Sequence, residues 1–473
     1  MHIIILNSPL FREISNLYDE DSLPPIGLGL IATSLQKKGL GVELIDAVAL
    51  NIPLADLIKQ VSETKPSFIC TNVFTTNLEL VREFVESIVF KTHFIIGGLS
   101  TQSLYNEILS WKSDNPISIV HGDGELITAD IIQNMVREQP KLENGNRQYY
   151  EVSTNSVYFV KDISTNNLNR AFFVNEPVVH PFGFIEANII TSRGCIYNCS
   201  FCAAARSLNK QFDIREKSVS SVVEEILHLT QIYPGLQSIR VLDDLFLKNG
   251  QSIGKAIEIF NQFNLQWRSM AHVQSFRGVD DQMVKLLRES GCNELFIGIE
   301  SGSPKILKEI HKTTNLEVIK ESISKLLRNG INVKGYFIYG FPGETLEDFE
   351  MTFSLAKYLK AISKKFRSQF RTSVFQYRPY HGTEIYHSLG DQFGSTAFSK
   401  VKAIEPNKEL SDLVGRLQFN FHSGNYSSES IETVREFVYK TTNLNSVRIF
   451  AADARHKRPT KTNPKVPKLR ALS

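Results

Sequence analysis

Short apolar runs alternate with amphipathic helical stretches along most of this 473-residue chain, and no other feature constrains its fold so strongly. The alternation occurs twice, over residues 1–140 and again over residues 185–395. Strands that alternate with helices predict parallel sheets with helices packed on their faces. The sequence therefore predicts an α/β protein of at least two domains, in line with about 100–200 residues per domain.

The first region predicts a doubly wound, Rossmann-like domain. Strands are expected at residues 2–7, 41–46, 67–73, 92–97 and 117–121, and helices at residues 26–38, 54–63, 77–89, 104–111 and 125–138. Ligands of such sheets bind outside the carboxyl ends of the strands. No G-x-G-x-x-G motif follows the first strand, so a dinucleotide site is not favoured.

The second region predicts a partial (β/α)6 barrel of the TIM type. Six strands are expected at residues 187–191, 237–242, 265–271, 294–299, 332–339 and 371–377, most of them followed by a helix. A large open sheet would also fit this spacing, but right-handed crossovers favour closure into a barrel. Chemistry is then expected at the carboxyl ends of these strands.

Less regular segments flank the barrel. Residues 141–184 are interpreted as a connector with a hairpin between residues 149–152 and 157–160. Residues 396–454 predict a small C-terminal cap with one helix at 428–440, and residues 455–473 a disordered basic tail.

The net charge of +3 does not predict a nucleic-acid or membrane partner. Seven Lys and Arg residues and no acid lie in the tail, so the rest of the chain carries a net charge of −4. We interpret the tail as solubilising. No long apolar stretch or secretory signal is recognised, and a cytoplasmic protein is expected.

Three of the five cysteines lie within eight residues, immediately after the first barrel strand. Cys195, Cys199 and Cys202 form a C-x3-C-x2-C pattern, and thiols this close are usually organised by a metal. Zinc or an electron-transfer cluster would require a fourth ligand at short spacing, and none is present. An iron–sulfur cubane on three cysteines would leave one iron open to a small molecule. Cys70 and Cys292 are expected to be buried and inert.

The cysteine motif strongly resembles that of the radical S-adenosylmethionine (radical SAM) superfamily. The resemblance implies a 4Fe-4S cluster whose open iron binds SAM, and reductive cleavage of SAM to methionine and a 5′-deoxyadenosyl radical. Three later segments at strand ends resemble the SAM-binding motifs of that family: Val241-Leu-Asp-Asp244, the Gly298-Ile-Glu-Ser-Gly302 segment and the Gly340-Phe-Pro-Gly-Glu-Thr345 turn. They imply that Asp243, Glu300, Ser301 and Gly340 bind SAM. Asp244 is equally well interpreted as a helix N-cap.

The first domain resembles the cobalamin-binding domain that precedes the barrel in one radical SAM subgroup. The similar segments are Pro24-Pro-Ile-Gly-Leu-Gly29, Ile96-Gly-Gly98 and Gly122-Asp-Gly-Glu125. By resemblance, the tentative cobalamin residues are those at the strand ends: Thr75, Gly97, Gly98, Gly122 and Glu125. The D-x-H-x-x-G loop that supplies a cobalt-ligating histidine is absent, so the domain either binds cobalamin without that ligand or has lost cobalamin.

No motif identifies the catalytic groups or the substrate. The last barrel strand leads into Tyr380-His381-Gly382-Thr383, where relatives more usually carry P-G-T. His381 and Tyr380 are candidates for an acid, a base or a hydrogen-bond donor, with Arg378 and His422 similarly placed. A loop histidine without a catalytic role is the simpler interpretation of His381.

The sequence leaves three functions open. The first is a radical SAM enzyme that activates a C–H bond of a small biosynthetic molecule, with cobalamin-dependent methyl transfer as the leading reaction. The second is radical dehydration, deoxygenation or rearrangement of a sugar-like metabolite without cobalamin. The third is a non-catalytic iron–sulfur redox sensor. The enzyme hypotheses imply a low-potential electron donor such as flavodoxin or ferredoxin, and no nucleic-acid or membrane partner.

Overall fold

The computed structural model describes residues 1–9, 23–165, 168–179, 182–393 and 425–445. Most of the predicted cap, the whole predicted tail and the candidate His422 lie outside these residues. Within the described residues, no helix is long and apolar enough to cross a membrane.

The first sheet has seven strands in the order β2-β1-β3-β4-β5-β7-β6, and its first five strands run parallel. The strands are β1 Ile3–Asn7, β2 Val42–Asp46, β3 Phe68–Asn72, β4 His93–Gly97, β5 Ile117–Gly122, β6 Leu142–Asn144 and β7 Arg147–Val152. This is the doubly wound domain that the sequence predicts.

Five helices cover the two faces of this sheet. They are α1 Ile26–Lys37, α2 Leu54–Thr64, α3 Leu78–Ser87, α4 Thr101–Leu109 and α5 Ile127–Ile132. Separate apolar clusters fill the two faces: α2, α3 and α4 pack on one, and α1 and α5 on the other. Burial on both faces explains why the strands are nearly continuous apolar runs.

The predicted hairpin between residues 149–152 and 157–160 is wrong. β7 instead pairs antiparallel with β6, and residues 157–160 form no strand. The physical reason is the two-residue turn Gly145-Asn146, in which Gly145 adopts a φ of 59° that suits a tight hairpin. Because β7 also lies parallel beside β5, the first sheet reaches Val152 and extends past the boundary predicted at residue 140.

The second sheet confirms the partial barrel, with the order β16-β15-β14-β13-β12-β9-β8. Its six parallel strands are β9 Ile185–Ile189, β12 Ser238–Val241, β13 Gln266–Ala271, β14 Cys292–Glu300, β15 Asn332–Tyr339 and β16 Phe370–Gln376. The short β8 Val178–Val179 adds one antiparallel edge strand. Two further strands, β10 Ser192–Arg193 and β11 Arg215–Glu216, form a separate two-stranded ribbon.

Helices cover the outer face of the barrel, where one large apolar cluster fills the space between helices and strands. They are α6 Val219–Ile232, α7 Gly250–Phe260, α8 Asp281–Glu289, α9 Pro304–Glu309, α10 Leu316–Arg328, α11 Leu346–Ser363, α12 Glu384–Phe393 and α13 Ile431–Thr442. Helix α6 is capped at its N-terminus by Ser218, whose side chain accepts the Ser221 N–H.

The inner face of the barrel is closed at the amino ends of the strands by two buried ion pairs. Arg268 binds the carboxylate of Glu186 with nitrogen–oxygen distances of 2.6 and 2.8 Å. Arg371 binds Glu294 in the same bidentate way, at 2.5 and 2.6 Å. Paired charges can remain buried there, and the open end of the barrel lies at the cysteine motif.

Helix α13, the described part of the predicted cap, packs directly on the last barrel strands. The hydroxyl groups of Tyr339 and Thr441 lie 2.8 Å apart, and Thr372 donates to the Thr441 carbonyl at 2.9 Å. The helix therefore completes the barrel wall beside β15 and β16.

We expect Gly302→Ala to destabilise the barrel, because a Cβ at Gly302 would lie 2.4 Å from the Met351 carbonyl oxygen of α11. Backbone atoms cannot move away cheaply, so the expected loss of unfolding free energy is roughly 1–3 kcal/mol. The control is Gly254→Ala inside α7, where a Cβ meets nothing within 4 Å. That change should raise stability by roughly 0.5–1 kcal/mol. Urea unfolding measures both, and equal effects of the two changes would contradict this packing.

Candidate functional site

All three clustered cysteines lie on one loop, residues 194–214, which we call the cysteine loop. The ribbon of β10 and β11 closes its base, where Ser192 pairs with Glu216 and Arg193 with Arg215. Cys195, Cys199 and Cys202 are free and half-buried, whereas Cys70 and Cys292 are fully buried, as predicted.

Asp243 holds the start of this base in place. Its carboxylate accepts hydrogen bonds from the Thr191 N–H, the Thr191 hydroxyl and the Ser192 hydroxyl, each at 2.6 Å. Burial raises the pKa of Asp243, and these donors oppose the rise. The contact of Asp243 with SAM stays a prediction. In the structure, its carboxylate accepts hydrogen bonds from residues at the base of the cysteine loop.

Asp244 is the carboxylate next to Asp243 along the chain. It is reached by solvent but surrounded by protein, and desolvation followed by the charge of Asp243 raises its pKa. The Gly194 N–H points at it and lowers the pKa in part. The N-cap interpretation of Asp244 is wrong, because the next helix, α7, begins at Gly250 and is capped by Asn249.

The protein presents donors and a cation to the three thiols. Burial is the main effect and raises the pKa of each thiol, for Cys202 to about 12. Backbone N–H groups of Tyr197 and Ala204 act in the opposite direction on Cys195 and Cys202. N–H groups directed at sulfur stabilise thiolates, the form in which cysteines bind iron. The donor set therefore fits an iron–sulfur cluster held by Cys195, Cys199 and Cys202.

A buried lysine supplies the cation beside these thiols. Lys312 lies between α9 and α10 and pairs with Glu300 at 3.1 Å, both side chains being at least nine-tenths buried. Desolvation opposes its charge, but Glu300 and then Cys199 keep the pKa of Lys312 above its ordinary value. Lys312 in turn lowers the pKa of Cys199 in part. The ammonium is thus held in its charged form next to the cysteine loop.

The Gly298-Ile-Glu300 sequence has a direct physical explanation. Glu300 adopts a φ of 66° at an irregularity in β14, a conformation that is uncommon for a residue with a side chain. A Cβ at Gly298 would lie 2.2 Å from the Glu300 carboxylate and 2.9 Å from the Lys312 ammonium. A side chain at position 298 would therefore displace this ion pair from its present place.

The other two residues predicted to bind SAM already have protein partners. The Ser301 hydroxyl lies 3.0 Å from that of Thr352 on α11 and accepts the Ser303 N–H. Gly340, with a φ of 96°, donates its N–H to Glu344 at 2.7 Å. Their contacts with SAM stay predictions, and the structure gives both residues a role in shaping the strand ends.

Aromatic side chains cover the cysteine loop on the barrel side. The rings of Tyr197 and His272 stack with centroids 4.1 Å apart. Burial, followed by the charge of Lys312, lowers the pKa of His272 to about 3, so its ring is neutral at pH 7. Phe201 contacts Phe341 edge-on at 5.6 Å. These rings exclude water from the side of the loop that faces the barrel.

The candidate His381 contacts the first domain. Its Nδ1 lies 2.9 Å from the Thr75 hydroxyl oxygen, which also accepts the His381 N–H at 3.1 Å. Burial lowers the pKa of His381 to about 4, so it is neutral at pH 7. Tyr380 forms a hydrogen bond with Arg378. Catalytic roles for His381 and Tyr380 stay predictions.

The three glycines predicted to bind cobalamin differ in how closely other backbone atoms approach them. A Cβ at Gly98 would lie 2.5 Å from the Val73 carbonyl oxygen, and one at Gly122 would lie 2.2 Å from the Val152 carbonyl oxygen. Glycine at these two positions thus allows two backbone segments to lie close together, whereas a Cβ at Gly97 would meet an ordinary contact at 3.5 Å. Their contacts with cobalamin stay predictions.

Other features of this edge fit a bound cofactor. The side-chain oxygen of Asn72, at the end of β3, is buried and has no hydrogen-bond partner among the described residues. Phe74, which follows the same strand, and Leu99, which follows the neighbouring strand β4, are both exposed. A buried acceptor next to exposed apolar side chains suits a large, partly apolar ligand that carries hydrogen-bond donors, as cobalamin does.

Glu125 contacts the second domain, which contains the barrel and the cysteine loop. It forms an ion pair with Arg193 at the base of the cysteine loop, and Asp123 pairs with both Arg193 and Arg215. Sequence reasoning missed Asp123, the two arginines and Lys312. The acidic G-D-G-E turn was visible as a motif, but its partners lie about 70 and 90 residues away and carry no local signal.

Two protein-family models match this chain. The model of the radical SAM superfamily matches residues 189–356, from the end of β9 into α11. The model of the B12 binding domain matches residues 19–132, which include α1 to α5.

Relatives and solved structures resemble the chain over most of its length. An uncharacterized methyltransferase of Pyrococcus horikoshii is 27% identical over 379 residues, which are 77% of this chain and 78% of that protein. The radical SAM methyltransferase TsrM of Kitasatospora setae aligns with a TM-score of 0.60 at 15% identity, over 83% of this chain and 76% of TsrM. The cobalamin-dependent SAM radical enzyme OxsB aligns with a TM-score of 0.60 at 14% identity, over 90% of this chain and 64% of OxsB. At such identities the two structures show a shared fold.

The buried carboxyl of Glu344 should make the stability of the fold depend on pH. Burial raises its pKa to about 8, although the Gly340 and Phe341 N–H groups oppose the rise, and one of its oxygens has no hydrogen-bond partner in the part of the chain that the structure describes. An acid whose pKa is raised by folding stabilises the fold fully below its unfolded pKa, about 4.5, and loses that contribution as pH rises to 8. Relative to Glu344→Gln, the wild type should lose roughly 2–4 kcal/mol of unfolding free energy between pH 5 and pH 8.

Urea unfolding at several pH values measures this difference. The control is Glu317→Gln, which changes an exposed carboxylate that pairs with Lys320 on α10. A constant difference between wild type and Glu344→Gln across this range would contradict a protonated Glu344.

Proposed function

Because this chain belongs to the radical SAM superfamily and carries a B12-binding domain ahead of the radical SAM domain, we propose that it is a cobalamin-dependent radical SAM methyltransferase of a small molecule. The observation that carries the proposal is the direct contact between the base of the cysteine loop and the carboxyl edge of the first sheet, in which Arg193 pairs with Asp123 and Glu125. On this proposal, the residues that would hold the cluster and those that would hold cobalamin lie on parts of the two domains that are in contact.

When bound, the cluster and SAM supply a carbon radical that removes hydrogen from unreactive C–H bonds, and cobalamin supplies a methyl group. The protein's task is to hold these groups in register and to keep water away. Cys195, Cys199 and Cys202 would hold the cluster. Tyr197 and His272 shield the barrel side of the loop.

Two charged residues near the loop suit the ends of an amino acid. Lys312 places a positive charge beside Cys199, and Asp244 places a carboxylate beside Cys195. The methionine part of SAM carries a carboxylate and an ammonium group, so we assign Lys312 to the former and Asp244 to the latter. Glu300 keeps Lys312 charged and holds it at the loop.

Methyl transfer is favoured over the two other hypotheses. The Pyrococcus horikoshii relative, which matches 77% of the chain, is a methyltransferase by name, and the B12-binding match spans all five helices of the first domain. Dehydration without cobalamin would leave that domain without its cofactor, and a redox sensor would not need the shaped strand ends around Lys312. Flavodoxin or ferredoxin as electron donor stays a prediction.

The function is tested by product analysis of anaerobically reconstituted protein with hydroxocobalamin, dithionite and SAM. Methyl transfer consumes one SAM as methyl donor and one as hydrogen acceptor, so S-adenosylhomocysteine and 5′-deoxyadenosine should both form. Release of 5′-deoxyadenosine alone with a cobalamin-loaded protein would favour the dehydration hypothesis. Neither product with an intact cluster would contradict both enzymatic functions.

Replacing Cys195, Cys199 or Cys202 by Ala should abolish cluster binding and SAM cleavage, because each thiolate binds one iron. Reconstituted wild type should hold about four irons per chain. Cys292→Ala is the matched control, since this thiol is buried in β14 away from the loop. Iron content and product release measure the outcome. Full iron content in a Cys199→Ala protein would contradict the assignment of the ligands.

Lys312→Met should weaken SAM binding by roughly tenfold to a hundredfold, because it removes a charged partner of the SAM carboxylate. The control is Lys360→Met on α11, whose ammonium donates to the Phe370 carbonyl. Equilibrium dialysis with the reconstituted proteins measures SAM affinity, and iron content shows whether the cluster is intact. Unchanged affinity in Lys312→Met would show that the lysine does not contact SAM.

A further inference from the structure

We propose that the acidic turn after β5 is a positioning device: Asp123 and Glu125 fix the base of the cysteine loop on the first domain and so set the separation between the cluster and cobalamin. The inference rests on the proposed function. It assigns to Glu125 a role other than the cobalamin contact predicted from the sequence. We call Asp123, Glu125, Arg193 and Arg215 the interdomain clamp.

The clamp joins two arginines of one domain to two carboxylates of the other. Arg193 reaches Asp123 at 2.6 Å and also pairs with Glu125. Arg215 pairs with the same Asp123 and donates to the Val160 carbonyl at 2.6 Å. Asp123 further accepts the Val160 N–H at 3.0 Å. The two positive and two negative charges balance within the clamp.

Burial makes these contacts rigid. Asp123 and Glu125 are 6% and 7% exposed, and the Arg215 guanidinium stacks 4.1 Å above the Phe159 ring. In such surroundings an ion pair is weakly screened, and loss of one partner leaves an uncompensated charge. The turn therefore has one favoured position relative to the arginines.

The two arginines lie at the two ends of the cysteine loop. Arg193 is on β10, two residues before Cys195, and Arg215 is its direct partner on β11. Every residue of the loop lies between them. Asp243 of the barrel holds the same base from the other side, through Thr191 and Ser192. A displacement of Asp123 would therefore move the base against the barrel.

A second set of contacts docks the end of the loop on the first domain, at the end of β5 and just after β7. The Gln211 carbonyl accepts both the N–H and the hydroxyl of Thr154. The Phe212 ring packs edge-on against His121, with centroids 5.2 Å apart. Gly122 leaves the space that Phe212 fills, since a Cβ there would lie 2.9 Å from this ring.

This arrangement matters for the proposed reaction because two large cofactors must face one substrate. Holding reacting groups at a fixed distance removes a large entropic part of the barrier. The clamp lies between the cysteines of the cluster and the strand edge of the B12-binding domain. Its ion pairs connect the base of the cysteine loop to the strand edge of the first domain.

The test compares three variants of the full-length chain: Asp123→Asn and Glu125→Gln in the clamp, and Asp130→Asn as control. Asp130 follows the same turn on α5 and is equally buried, and its ion-pair and hydrogen-bond partners among the described residues, Lys38, Arg137 and Tyr158, all lie outside the barrel. It matches the clamp variants in losing one buried carboxylate charge.

Hydrogen–deuterium exchange reports on the loop without cofactors. Asp123→Asn should speed exchange of residues 194–214 roughly tenfold, and Asp130→Asn should leave it as in wild type. If Asp123→Asn does not fold, Glu125→Gln carries the test, because it keeps both arginine contacts of Asp123, and a several-fold increase is expected. Exchange equal to wild type in both clamp variants would overturn the inference.

A pulsed EPR distance measurement tests positioning itself. Protein loaded with the cluster and cobalamin is reduced with dithionite, and the distance between the unpaired electrons of the cluster and of cobalt(II) is recorded. Wild type and Asp130→Asn should show one narrow distribution, and Asp123→Asn a broadened or shifted one at equal iron and cobalamin content. An unchanged distribution would overturn the inference. Wild type that binds no cobalamin would contradict the proposed function, while the exchange experiment still decides whether the clamp holds the loop.

Discussion

The base of the cysteine loop is the point on which the rest of this structure depends. Carboxylates of both domains hold it: Asp243 of the barrel binds Thr191 and Ser192, and Asp123 of the first domain binds Arg193. Three thiols without disulfides have no covalent reason to stay together, and burial of neutral thiols does not direct them to one place. The hydrogen bonds and ion pairs at the base supply that direction, and they do so from two domains at once.

Both sheets direct the carboxyl ends of their parallel strands toward the same region. Asp243, Glu300 and Gly340 lie there at or just after the ends of barrel strands, and Asn72, Gly97 and Gly122 lie at the ends of strands of the first sheet. At the opposite end of the barrel, charged side chains form closed pairs such as Arg268 with Glu186. Paired charges thus close one end, while the cation of Lys312 stands at the end that holds the cysteines.

The sequence predicted the fold closely where local patterns determine structure. All eleven parallel strands that were expected are present, since buried strands between helices are nearly continuous apolar runs. The superfamily and the B12-binding domain are confirmed as well. The hairpin predicted at residues 149–160 was wrong because the hairpin turn lies earlier in the chain, at Gly145, whose positive φ allows a tight turn. The cysteines were identifiable by their spacing, but the partners of Glu125 and Glu300 were not, because Arg193 and Lys312 meet them only through the tertiary fold.

Anomalous diffraction from crystals of the anaerobically loaded protein, recorded at the iron and cobalt edges, tests the central claim most directly. The account predicts an iron peak bound by Cys195, Cys199 and Cys202, and a cobalt peak over the strand edge near Asn72 and Gly97, with the clamp intact between them. An iron peak away from these cysteines, or a cobalt peak that is absent or lies elsewhere in a cobalamin-loaded crystal, would contradict it.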